Sequence, residues 1–397
     1  MRVKELLAAA KAARYRAEVA LTKGTLRLDG EGVAREFRAA PGAVGLREDR
    51  DLLPLADWLK EADQDGEIAV KVLHKNRKKP TLRLMVHAGH FDLQFEKGSS
   101  GRLERNAGLA GGGKVEAHFE VPRKDFERAV ARARPFVAKE RLHFALQALS
   151  VQDFDREHRC HGKGVHLIAT DGRALLMQPL GEARSLGDGK SVLFIPPGRD
   201  DLRCLKGAGS VSIRHRGGWT ELGAGAFRLR HEMEVSYPDV ERVIWAEDPY
   251  VRVEVEPPLP HEIEALTEQD KKNILGGQEA RVAWLYADPD GRCGFWREGD
   301  SPEDSPAVEA KLVGEAPPHP FVSQFDIKYL LPLMKGARTT WSLKYATKRV
   351  DGPKGRAATK PVIVEYAGRK VRSSDRCALA DLPGGAFAAV MPIVISK

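Results

Sequence analysis

The sequence predicts an α+β chain built from three similar segments, each containing two helix-plus-antiparallel-sheet units. Three observations carry that expectation. The same order, an amphipathic helix, alternating strands, a second short helix and more strands, recurs three times along the chain. The strands fall into hairpins with polar turns such as 288–292 (DPDGR), which indicates antiparallel sheets and not the βαβ alternation of a doubly wound fold. Finally, 397 residues exceed one ordinary core, because domains of roughly 100–150 residues are the commonest size.

In chain order, the first helix of each segment is read at 3–14, 122–134 and 260–275, and the second at 52–62, 199–206 and 327–337. Pro332 makes the last of these kinked or short, since proline removes a helical donor. Strands alternate at 25–28, 211–216, 251–256 and 341–345. The stretch 97–114 (KGSSGRLERNAGLAGGGK) holds six glycines in eighteen residues and little to bury, so it reads as a linker. A second break falls at 245–250, where a new alternating strand begins. The segments are therefore 1–97, 115–245 and 246–397, with 98–114 joining the first two.

Composition narrows the function. Hydrophobic residues at 42% and charged residues at 30% are globular values, and no apolar run approaches the roughly 20 residues of a membrane span. The opening MRVKELLAAAK carries an acidic residue and reads as a helix, not a signal peptide, which gives a cytoplasmic expectation. A net charge of +8 favours a polyanionic partner. Cys160, Cys204, Cys293 and Cys377 lie too far apart for a dense disulfide framework or a CxxC ribbon.

The helix at 122–134 places Phe126, Val130 and Ala133 on one stripe and Lys124, Arg128 and Arg132 on the other. A solvated charged face is the plain reading of such spacing. Repetition favours a phosphate-binding surface: Lys4 and Lys11 decorate the first helix, Arg199, Arg203 and Lys206 the fourth, Lys328 and Lys335 the sixth. The basic stretches 74–80 and 348–356 add cations or simply solubility. His158, Cys160 and His161, with His166 beyond, have zinc-ligand chemistry, but adjacent positions 160 and 161 point poorly into one tetrahedral site, so the stretch reads as an exposed hairpin tip and no metal or cofactor is expected. No G-x-S-x-G, P-loop, H-E-x-x-H or dinucleotide fingerprint occurs, and nothing supports catalysis. Thr170, Gly172 and Leu175 follow a strand at 165–169, Pro238 and Val243 close the same segment, and Met391, Pro392 and Ile393 form an apolar end. Such sets are either core or a small binding pocket.

At 168–175 (IATDGRAL) the chain resembles the bacterial sliding clamp, the β subunit of the replicative DNA polymerase. The match continues in order at 126–130 (FERAV) with 135–138 (PFVA), 141–149 (RLHFALQAL), 195–196 (IP), 237–243 (YPDVERV) and 390–395 (VMPIVI). Residues 1–97 match poorly, Arg173 and Ala174 stand where the family has His-Arg, and the hairpin at 152–164 is long. The resemblance implies three clamp domains, two chains closing head to tail, and a pore holding duplex DNA by phosphate contacts without sequence preference. It implies a ring interface at Phe91 and Leu93 on one side and at the apolar pair Ile274 and Leu275 on the other. It also implies a pocket for short linear peptides of DNA polymerase, clamp loader and repair proteins, in which Leu146, Arg173, Ala174, Arg242 and Ala389 join the apolar residues above. The alternatives are a clamp-like DNA-binding protein that does not close a ring, a specialised paralogue with few partners, or a DNA-processing enzyme on a clamp-like scaffold.

Overall fold

The computed structural model describes residues 1–13, 16–22, 25–30, 33–38, 46–73, 81–86, 89–94, 115–139, 144–205, 208–225, 227–233, 236–245, 249–267, 273–275, 278–297, 300–344, 347–351, 357–366, 369–374 and 376–392. The glycine-rich stretch 98–114, the basic loop 74–80 and the loop core 352–356 lie outside the described residues. The architecture is mixed α+β, with six α-helices among the described residues: α1 (Val3–Ala12), α2 (Leu53–Glu61), α3 (Arg123–Ala133), α4 (Arg199–Cys204), α5 (Pro260–Thr267) and α6 (Ile327–Met334). None is long and apolar enough to cross a membrane.

Residue contacts divide the chain into two compact units, and the stretch 115–245 contributes to both. The first unit takes 1–130, 150–153 and 180–236. Its main sheet is nine-stranded and antiparallel, in the order 184–185, 117–122, 210–216, 219–224, 227–232, 33–38, 25–30, 16–22, 46–51. One sheet therefore runs from the first sequence segment into the middle one, through the pairing of Phe227–Glu232 with Val33–Arg38. α1 packs on both α2 and α4, burying Val3, Leu6 and Ala10, while Glu5 accepts a 2.9 Å bond from the Arg2 amide at its N-terminus. α3 buries Phe126 and Val130, with the Phe126 ring 5.7 Å from Phe194 of the strand Ser191–Phe194. Each such aromatic burial contributes roughly 2–3 kcal/mol.

The second unit takes 131–149, 154–179 and 237–397. Its strands run in the order 164–170, 174–179, 386–390, 378–382, 339–343, 251–255, 311–312, again joining the middle and last sequence segments in one sheet. A six-stranded sheet holds 308–309, 293–297, 282–287, 321–326, 369–373 and 363–366, antiparallel except where 321–326 meets 369–373. The DPDGR turn forms as read: the Asp288 carboxylate accepts from the Asp290 and Arg292 amides at 3.0 Å each, and Gly291 takes φ +88°. Asp326 caps α6 by accepting from the Lys328 amide at 3.0 Å, and the helix ends two residues past Pro332.

Two expectations are corrected. Of the helix read at 260–275 the described part is Pro260–Thr267, and Asn273–Leu275 at its far end is a strand paired with Gln278–Ala280; glycine has low helix propensity, and the sequence has a Gly-Gly pair directly after Leu275. Ile274 and Leu275 are thus strand residues. The stretch 158–161 is not an exposed tip: Cys160 and His161 are buried, because Cys160 belongs to the apolar cluster of Ile168, Leu175, Met177, Val240 and Trp245, and His161 stacks on Phe154 at 3.7 Å.

Candidate functional site

An apolar cavity of the second unit lies beside the join between the strands Ala174–Pro179 and Ala386–Val390. Its rim is the turn at 170–174, and the ATDG residues fit their places there. The Thr170 hydroxyl donates to the Ala174 carbonyl at 2.7 Å and accepts from the Gly172 amide at 3.1 Å. Asp171 accepts from the Arg173 and Ala174 amides at 2.9 and 3.0 Å, an Asx turn, while its other oxygen takes the Tyr329 hydroxyl. Burial first, and then that carboxylate, push the Tyr329 phenol above its ordinary range. Gly172 sits at φ +86°, a backbone conformation that a β-carbon disfavours. The Met391 amide then donates to the Arg173 carbonyl at 2.8 Å, which docks Met391 against the same turn.

The resulting cavity of about 140 Å³ is lined by Leu146, Thr170, Gly172, Arg173, Ala174, Leu175, Pro238, Asp239, Val240, Cys377, Ala389 and Met391. Nine residues singled out in the sequence meet here. Arg242 does not line it; its side chain is 84% exposed and paired with Asp239 at 2.9 Å. Pro392 is buried just beyond, Ile393 lies outside the described residues, and Val243 ends the short turn Val240–Val243. Sequence reasoning missed Asp239, Val240 and Cys377. The first two adjoin Pro238 and were within reach; Cys377 carries no local signal, since only the sheet brings it there. Met391 is 45% exposed at the mouth, and the polar groups of the rim are hydrogen-bonded within the turn, leaving an apolar interior. Such a cavity suits apolar side chains presented by a peptide or small molecule. Burial pushes the thiol of Cys377, which lines the cavity, up to about 11.

The cationic helix faces are partly neutralised. In the first unit, Arg128 pairs with Asp125 at 2.6 Å, Arg203 with Asp200 at 2.8 Å, and Lys4 with Asp65 at 2.5 Å. Lys124 and Arg199 are exposed, Lys11 is half-buried and Lys206 lies outside the described residues. In the second unit, Arg132 donates to Gln178 at 2.9 Å, Lys328 lies 3.3 Å from Asp326, and Lys335 is exposed. Exposed pairs of this kind contribute little to stability and leave much of the long-range field in place. Phe91 and Leu93 lie on Gly89–Gln94, the outer strand of a three-stranded sheet; Leu93 is buried and Phe91 packs 5.6 Å from Trp58.

No family model matches the chain, and no curated protein matches it in sequence. Solved structures do match in shape. Caulobacter crescentus pol III β superposes with a TM-score of 0.62 at 13% identity, covering 100% of this chain and 99% of that one. A DNA polymerase sliding clamp from Pseudomonas aeruginosa with ligand gives 0.60 at 16% identity, covering 100% and 99%. A sliding clamp from Bartonella birtlesii bound to griselimycin gives 0.60 at 13%, covering 96% and 92%. Across its whole length, this chain has the fold of the bacterial DNA polymerase III β sliding clamps.

Proposed function

We propose that the protein is a non-enzymatic DNA sliding clamp. In this reading 1–97, 115–245 and 246–397 are three clamp domains, two chains close head to tail around duplex DNA, and partners dock by short peptides in the cavity at Leu175 and Met391. The observation that carries the reading is that cavity: residues from four separate stretches of sequence, which the clamp resemblance names together, line one apolar hollow. The full-length likeness to clamps supports it, as does the binding of griselimycin by clamps of the same fold. Exposed Lys124, Arg199 and Lys335 supply phosphate attraction, and a closed ring needs only screened, sequence-independent contacts to slide. Ile274 and Leu275 on one side, and the strand of Phe91 and Leu93 on the other, are the proposed ring interface.

Particle mass in solution together with two-dimensional image averages tests the ring. A dimer mass and closed rings are expected, and Ile274→Ala with Leu275→Ala should yield monomers. Monomers or open arcs from the parent chain, with DNA present, would instead identify a clamp-like binder that does not encircle its duplex.

A further inference from the structure

We propose that His158, Cys160, His161 and Glu241 bind a single Zn²⁺-class metal ion. The local backbone brings the donors together. His158 and His161 exchange both of their amide–carbonyl bonds, 2.9 and 3.1 Å, closing a two-residue turn over Arg159 and Cys160. The two imidazole ring centres consequently lie 5.5 Å apart, and the Cys160 sulfur lies 2.9 Å from His158 Nδ1. One donor atom from each of the three residues lies within 4.8 Å of the others, close enough for side-chain rotation to bring all three to zinc-ligand distances of roughly 2.0–2.3 Å. The tight turn removes the objection that neighbours 160 and 161 cannot converge.

Hydrogen bonding around the rings points to a cation. The Nδ1 of His161 lies 3.0 Å from the Gly162 carbonyl and its Nε2 lies 3.0 Å from Glu241 Oε1. Both neighbours are acceptors, so a metal ion on Nε2 fits the surroundings of this fully buried ring. Nδ1–H donating to a backbone carbonyl is the second-shell arrangement that orients a metal-binding histidine. His158 presents a lone pair inward: its Nδ1 faces the Cys160 sulfur at 2.9 Å and lies 3.5 Å from the Cys160 amide. Glu241 Oε2 is held by Arg156 at 2.7 Å, which leaves Oε1 as the fourth donor. On binding, the Cys160 thiol and the His161 Nε2 position each release a proton to solvent, and the ion takes their place. The ion would fasten the hairpin to the turn Val240–Val243, whose Val240 lines the apolar cavity.

The test uses the full chain, stripped with a chelator and titrated with Co²⁺ alone, then Zn²⁺. One Co²⁺ per chain should bind with a sulfur-to-cobalt charge-transfer band and tetrahedral ligand-field absorption, both erased by Zn²⁺. Cys160→Ser should lose the sulfur band and roughly 100-fold or more in affinity, whereas Glu241→Gln should keep the band and bind about 10-fold more weakly. Zn²⁺ should raise the melting temperature of the parent but not of Cys160→Ser. Should Cys160→Ser fail to fold, the half-buried His158→Ala carries the same expectation of weakened binding and no thermal shift. Absence of a sulfur-to-cobalt band in the parent chain, or its survival in Cys160→Ser, would overturn the proposal.

Discussion

Two joints of the molecule use the same backbone device and fill it differently. In the first unit, Phe227–Glu232 pairs with Val33–Arg38: Phe227 meets Phe37 at 5.2 Å, Arg35 reaches Asp201 of α4 with bonds of 2.7 and 3.2 Å, and a polar hollow of about 400 Å³ lined by Glu36, Arg38, Arg228 and Arg230 borders the joint. In the second, Ala174–Pro179 pairs with Ala386–Val390, and an alanine faces a larger apolar residue in three of the pairs, Ala174 with Val390, Leu175 with Ala389 and Leu176 with Ala388. There the joint borders an apolar cavity instead of a charged one. An antiparallel pairing thus supplies continuity between sequence segments in both places. The lining separates them: buried charge and ion pairs at the first joint consolidate the fold, whereas the apolar lining at the second suits an apolar ligand.

Breaking the charged joint should have the largest effect. Both side chains of the Arg35–Asp201 pair are almost wholly buried, so Asp201→Ala leaves an uncompensated guanidinium and should cost about 3–5 kcal/mol in denaturant unfolding. Changing both residues to apolar ones of similar volume should recover much of that loss. The same joint should also be the acid-sensitive one. Burial lowers His231, on the strand Phe227–Glu232, from 6.5 to about 4, and its Nε2 accepts from the Ile195 amide at 3.0 Å. The folded state keeps this ring neutral while the unfolded chain binds a proton below about pH 6.5. Stability should therefore be complete above that pH and fall progressively to about pH 4, on the order of 3 kcal/mol in total, with His231→Gln flattening the profile.

At the apolar joint, substitutions should separate stability from binding. Met391→Ala, at a half-exposed position on the cavity mouth, should shift unfolding by less than about 0.5 kcal/mol. It should weaken binding of an apolar-anchored peptide roughly 10-fold, the equivalent of about 1.4 kcal/mol. The smallest effect is expected on α3. Because Arg128 already pairs with Asp125, Arg128→Glu should change the salt slope of duplex binding by about one phosphate contact or less, equally for all DNA sequences.

What could be read in the sequence follows the range of the interactions involved. The stripe of Phe126 and Val130 and the turn chemistry of Thr170, Asp171 and Gly172 are local, so helix and rim were both legible. Arg35 and Asp201 lie 166 residues apart, and no periodicity announces their partnership. Cys377 reaches the cavity only through the register of 378–382 on 386–390. Ile274 and Leu275 were misread as following directly on a helix because the apolar spacing of 260–275 outweighed the Gly276–Gly277 turn signal. The His158–His161 turn was read as solvent-facing because burial by Phe154 and Val240 is a tertiary fact.

The peptide site tests the account most directly. A short peptide with a glutamine and terminal apolar anchors, titrated by fluorescence anisotropy, should bind the intact chain, and deletion of residues 391–397 should weaken it by roughly 100-fold or more without changing the particle mass. Equal affinity for the intact and truncated chains would contradict the assignment of the apolar joint as the partner site, and with it the proposed clamp role.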